Sequence, residues 1–172
     1  ALISVLISVF LFVSLTPVMA QRGDDTTRRS KNGKVEAMVD GVKVVLEFGK
    51  PKVRNRVIFG ELVKYDRVWR TGADEASTIS FDKDVNVEGK KLAAGTYSLF
   101  TIPGKSEWVI IINKVAKQYG AYKYNKLEDA LRVTVKPIKA EKLEEMNFFV
   151  KKNTIILHWD TVSVPFKVEA AK

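Results

Sequence analysis

From Val35 onward the chain is a series of short segments in which apolar and polar residues alternate, most of them ended by turn-forming residues. Period two puts successive side chains on opposite faces, which is the signature of strands with one buried side. The clearest case flanks Asp40-Gly41, with Val35, Ala37 and Val39 before it and Val42, Val44, Leu46 and Phe48 after. Asp-Gly accepts the positive φ of a type I′ turn, so this stretch predicts a β-hairpin. Ser77–Phe81, Val85–Val87, Thr96–Ile102, Glu107–Asn113, Leu131–Val135, Met146–Val150, Thr154–Trp159 and Val162–Val168 continue the series. Trp108 to Ile112 is apolar on both faces and reads as a central strand. Glu141–Glu145 reads as a charged link, Asp160-Thr161 as a turn, and Leu127–Ala130 as one short helix. The expected fold is all-β: a single antiparallel β-sandwich with a long ordered loop and little helix.

The N-terminal fifth is of a different kind. Ala1–Ala20 carries no charge, is rich in Leu, Ile and Val, and ends on small residues before the polar Gln21-Arg22-Gly23-Asp24. That pattern reads as a signal peptide cleaved after Ala20. A membrane anchor is the alternative, and Pro17 and the small-residue end disfavour it. The expected organisation is therefore a signal peptide over 1–20, a flexible N-terminal tether over 21–34, and a β-sandwich domain over 35–172. Such a protein would be periplasmic or secreted, with no stable membrane span after cleavage. The absence of cysteine suits a domain that needs no disulfide staple.

The formal net charge is +9, carried mostly by lysines interleaved with 20 acidic residues. This reads as a solvated surface or as attraction to an anionic envelope component, such as an acidic glycan. Nucleic acid is not an expected partner, because no basic helix, finger spacing or RNA-recognition motif is present.

Between the first hairpin and the later strands lies a loop from Lys52 to Asp66, followed by Val68-Trp69-Arg70-Thr71-Gly72-Ala73-Asp74-Glu75-Ala76. Here an indole, a guanidinium, a hydroxyl and two carboxylates stand together. Arg54, Arg56, Tyr65, Trp69, Arg70, Thr71, Asp74 and Glu75 are the candidate binding residues. Two readings are open. Gly72 can take a positive φ and fold the segment so that Arg70 and Glu75 pair, locking the loop onto the sandwich. Alternatively, these side chains rim a ligand cleft. A hydrolase acting on glycans would need Glu75 and a second carboxylate, for instance Glu61 or Asp66. Asp74 and Glu75 are neighbours that face apart in extended chain, so they make a poor acid–base pair. With one His and no Cys, no metal site is expected. No serine-nucleophile elbow or phosphate loop appears, and no cofactor is expected.

Lys50-Pro51, Arg56, Ile58-Phe59-Gly60, Leu62-Val63-Lys64-Tyr65 and Trp69–Ser77, with Ala94–Pro103, Trp108 and Trp159, resemble the DUF2911 family of exported bacterial proteins. The resemblance covers most of the sequence after the leader and implies export and a β-rich fold; it implies no activity. Lys50, Asn55, Lys64 and Asp74 stand where the family pattern leads one to expect Arg, Gly, Pro and Asn.

Overall fold

The computed structural model describes residues 22–172, so the expected signal peptide lies outside the described residues. Ten strands form two antiparallel sheets, and the sandwich expected from the alternation is present. The strands are β1 (Lys31–Val39), β2 (Val42–Lys50), β3 (Ser77–Phe81), β4 (Val85–Val87), β5 (Lys90–Leu92), β6 (Gly95–Ile102), β7 (Trp108–Asn113), β8 (Asp129–Val135), β9 (Ile138–Lys151) and β10 (Thr154–Ala170). The larger sheet runs β1-β2-β3-β6-β7-β8 and the smaller β5-β4-β10-β9. Among the described residues, helix is limited to a 3₁₀ turn at Lys126–Glu128, capped by the Asn125 side chain.

The first hairpin forms around Asp40-Gly41, whose φ values of 50° and 76° give the positive-φ pair that a type I′ turn needs. Val39 and Val42 face each other across it, and both are fully buried. Glu88 and Gly89 repeat the device between β4 and β5, with φ of 48° and 79°.

Three expectations are corrected. Residues 22–34 are not a free tether: β1 begins at Lys31, and Arg22 to Ser30 is bound back onto the fold by side-chain hydrogen bonds. Glu141–Glu145 is not a link but part of β9, an edge strand. Its exposed positions are filled by Glu and Lys, which hides the strand in a hydrophobicity pattern. Asp160-Thr161 does not turn the chain. It is an irregularity within β10, where the pairing register with β9 shifts and Asp160 takes a φ of 53°.

The core lies between the sheets. Its centre is aromatic: Trp108 from β7, Trp159 from β10, and Trp69 and Phe59 from the long connection between β2 and β3. Trp69 stacks on Trp159 at 5.9 Å, while Phe59 meets Trp108 edge-on at 5.1 Å and Trp159 at 6.0 Å. These contacts use the favoured offset and T-shaped geometries, each worth about 0.5–1.5 kcal/mol beyond burial. The connection is thereby held as firmly as a strand.

Trp69 also continues the sheet. Its backbone exchanges hydrogen bonds with Thr101 of β6 at 2.8 and 3.0 Å, in line with β3. The chain then leaves the sheet and returns at Ser77, whose N–H donates to the Arg70 carbonyl at 3.0 Å. The excursion passes very close to the end of β2. A Cβ added to Gly49 would lie 2.4 Å from the Ala73 carbonyl oxygen, and one on Gly72 would lie 3.0 Å from that of Gly49.

Gly49→Ala should therefore force two backbone segments apart. The expected loss is about 1–3 kcal/mol, read as a lower denaturation midpoint at unchanged slope. Gly41→Ala, where no atom lies within 4 Å of the added Cβ but φ is positive, should cost only about 1 kcal/mol.

Candidate functional site

The excursion from Arg70 to Ala76 is shaped by strained residues rather than by its glycine. Thr71 and Asp74 take φ values of 57° and 61°, which an L side chain adopts at a cost of order 1–3 kcal/mol. Gly72 does not take a positive φ; it is glycine because Gly49 and the Ser77 hydroxyl leave no room for a Cβ. Hydrogen bonds hold Thr71 in place. Its hydroxyl donates to the Trp69 carbonyl at 3.1 Å and lies 3.0 Å from the Thr101 hydroxyl, and the Ser77 hydroxyl donates to the Thr71 carbonyl at 2.6 Å. Thr71 is completely buried, so it shapes the site from behind.

The expected Arg70–Glu75 pair does not form. Glu75 is held instead by two arginines of the N-terminal segment. Arg28 grips it bidentately, Nη1 donating to Oε2 at 2.6 Å and Nη2 to Oε1 at 2.5 Å. Arg22 Nη2 lies 3.1 Å from Oε2, and the Gly23 N–H donates to Oε1 at 3.2 Å. The Arg22 guanidinium also donates to the carbonyls of Ala73 and Glu75 and to the Asn32 side chain. The Arg28 hydrogen bonds hold the Glu75 carboxyl down to about 2, against a partial upward push from burial. Burial pulls the Arg22 guanidinium below its ordinary value, Glu75 opposing that pull. The strap thus acts as a clasp: residues 22–30 lie against the excursion, and its carboxylate is the catch.

Against the excursion, and bordered also by Arg29 and Ser30 of the strap, is a cavity of about 490 Å³. Its lining includes Arg29, Lys52, Arg54, Arg56 and Arg70, with Asp74 as the one carboxylate among the lining residues. Trp69 and Trp159 reach it from the aromatic core. The loop that carries its cations is rigidly built. Arg54 and Asn55 form a tight turn with φ of 49° and 56°. The Arg56 guanidinium donates to the carbonyls of Val53 and Lys52 at 3.0 and 2.6 Å. The Arg54 N–H donates to the Glu144 carboxylate at 2.8 Å, tying the turn to β9.

Two buried donors of the lining residues lack an acceptor among the described residues. Both Arg70 Nε and Trp159 Nε1 are buried without a hydrogen-bond partner, and both residues line the space. Buried polar groups are nearly always paired, and one left bare costs about 1–3 kcal/mol.

Of the expected site residues, Arg54, Arg56, Trp69, Arg70 and Asp74 therefore meet at one cavity. Tyr65 lies apart, lining a separate space of about 250 Å³ with Phe59 and Trp108. Thr71 is behind the wall, and Glu75 is engaged by the strap. Arg29, Lys52 and Trp159 belong to the cavity but were not expected there. Trp159 could have been suspected as an indole in a strand; Arg29 carried no periodic signal. Among the described residues, no group of three or more His, Cys, Asp or Glu side chains could hold a metal ion.

Residues 30–168 match a family described as protein of unknown function, DUF2911, and the chain belongs to that family. No curated protein and no solved structure matches it.

The clasp sets a pH dependence. The folded-state pKa of Glu75, about 2, lies below its ordinary 4.5. Its stabilisation is complete above pH ~4.5 and is lost as the pH falls toward 2. Glu75→Gln should lower stability at pH 7 by about 1–3 kcal/mol, the range for a hydrogen bond to a charged group. Thermal melts across pH should show the gap between wild type and variant closing below pH ~4. A gap that stays constant to pH 2 would remove the charge from the explanation.

Proposed function

We propose that this member of the DUF2911 family is an exported, non-catalytic binding module whose cavity takes an anionic component of the cell envelope, an acidic glycan foremost. The observation that carries the reading is a cavity lined by five cationic side chains, Arg29, Lys52, Arg54, Arg56 and Arg70, against a single carboxylate, Asp74. A carboxylate or sulfate brings several acceptor oxygens to such donors, and guanidinium groups match its planar or forked geometry. Apolar side chains such as Leu62 and Val63 stand beside the charges in the lining, a combination that suits a sugar ring carrying an acidic group. Export is supported by the uncharged, apolar Ala1–Ala20, and the lack of cysteine is compatible with it.

The surroundings of Glu75 do not favour the hydrolytic alternative. A general acid needs a raised pKa to be protonated near neutrality, whereas Glu75 sits at about 2. Both of its oxygens are already engaged by guanidinium groups. Asp66 lies elsewhere, its backbone N–H bonded to the Pro103 carbonyl, and neither it nor Glu61 lines the cavity.

Calorimetric titration with a polyuronate, and with neutral dextran as control, tests the reading. The polyuronate should bind, more weakly as salt is raised, and dextran should not. Arg70→Ala should weaken binding about 10- to 100-fold, the equivalent of about 1.5–3 kcal/mol for a charge-assisted hydrogen bond. Equal binding of neutral and acidic polymer, or unchanged affinity in a folded Arg70→Ala protein, would sink the proposal.

A further inference from the structure

The connection between β7 and β8 has features that the cavity does not use. It is closed at its base by the Lys114 N–H donating to the Glu128 carbonyl at 2.9 Å, which makes residues 114–128 a compact loop with adjoining ends. The loop is internally braced. Gln118 is buried and donates to the Asn113 side chain at 3.1 Å and the Val115 carbonyl at 2.8 Å. Its carbonyl accepts from the Ala76 N–H, and the Gly120 N–H donates to the Asp74 carbonyl, both at 2.9 Å.

What this firm frame displays is unusual. Tyr122 is 86% and Leu127 87% exposed, with Tyr119 at 64% and Val115 at 44%. Between them stand Lys114, Lys117, Lys123 and Lys126, all exposed, and from 114 to 127 there is no carboxylate. Asp129, at the base, is occupied by Asn113, Tyr124 and Arg132. Exposed Tyr and Leu interleaved with Lys suit the boundary of a lipid bilayer. Tyrosine rings favour the headgroup level, a leucine enters the acyl edge, and lysines meet anionic headgroups while their stems lie on apolar surface.

The loop is also seated against the N-terminal strap: Arg22 lines a small cavity with Ala116, Lys117 and Gln118, and it pairs with Glu75, whose backbone bridges Tyr119. The charge of the exposed lysines is what selects an anionic surface as the occupant.

We propose that the 114–128 loop is a membrane-docking element that seats the domain on an anionic lipid surface. This does not depend on the cavity or its ligand.

The chain has no cysteine, so Tyr122→Cys, Leu127→Cys and Met38→Cys each give a single attachment point for an environment-sensitive fluorophore on the full chain. Met38 is exposed on the first hairpin and serves as the control. With vesicles of phosphatidylcholine containing about one-third phosphatidylglycerol, the probes at 122 and 127 should shift to the blue and the probe at 38 should not. The shift should fade at high salt, on pure phosphatidylcholine, and when Lys123→Glu and Lys126→Glu are added. The proposal is overturned if vesicles bind without a shift at 122 and 127, which would mean attachment by the leader alone. A shift of equal size at position 38, or on neutral vesicles, would also overturn it. So would a shift that follows protein concentration without lipid, which would mark self-association.

Discussion

The contact between Trp69, Trp108, Trp159 and Phe59 is the join on which the molecule depends. One indole comes from each sheet, and the third indole and the phenyl ring come from the long connection between β2 and β3. A loop of that length would ordinarily be a weak point, since its backbone must find partners outside any ladder. Here two rings sunk between the sheets fix its position, and Trp69 pairs with β6 as if it were a strand. Everything polar at the site is measured from that anchor. The strained Thr71, the close approach of Gly49 and Gly72, and the row of arginines follow from where Trp69 has to be.

The polar groups around the anchor divide into two sets with opposite states. On one side Glu75 is saturated: two guanidiniums and a backbone N–H fill its oxygens. On the other, Arg70 and Trp159 keep buried donors that have no acceptor among the described residues. A fold that satisfies one neighbour so completely and leaves the next bare is spending stability at one place only. That contrast, more than the number of cations, separates a structural contact from an open one.

Much of the fold was legible because its causes are local. The Asp40-Gly41 hairpin needs only period two and a dipeptide that tolerates positive φ. β9 was only partly legible, because an edge strand meets solvent along much of its length and its Glu–Lys sequence carries no hydrophobic period. The site was legible in composition but not in pairing. Arg70 stands five positions before Glu75, and a turn between them seemed to bring the two together. The actual partner, Arg28, is separated from Glu75 by 47 positions and comes from a polar stretch with no structural signal of its own. Tyr65 shares the motif with Trp69, yet it faces another space, because the loop carries it to the opposite side of the aromatic cluster.

The strap has a consequence for where the domain begins. The stretch that defines the family starts at residue 30, but Arg22 and Arg28 lie before it and hold Glu75 within it. The unit of descent and the unit of folding therefore have different edges. A chain trimmed to residues 30–168 would keep β1 whole and lose only the last two residues of β10, yet it would leave a partly buried carboxylate without its counter-ions. Two arginines from a stretch that resembles a tail are, in electrostatic terms, part of the fold.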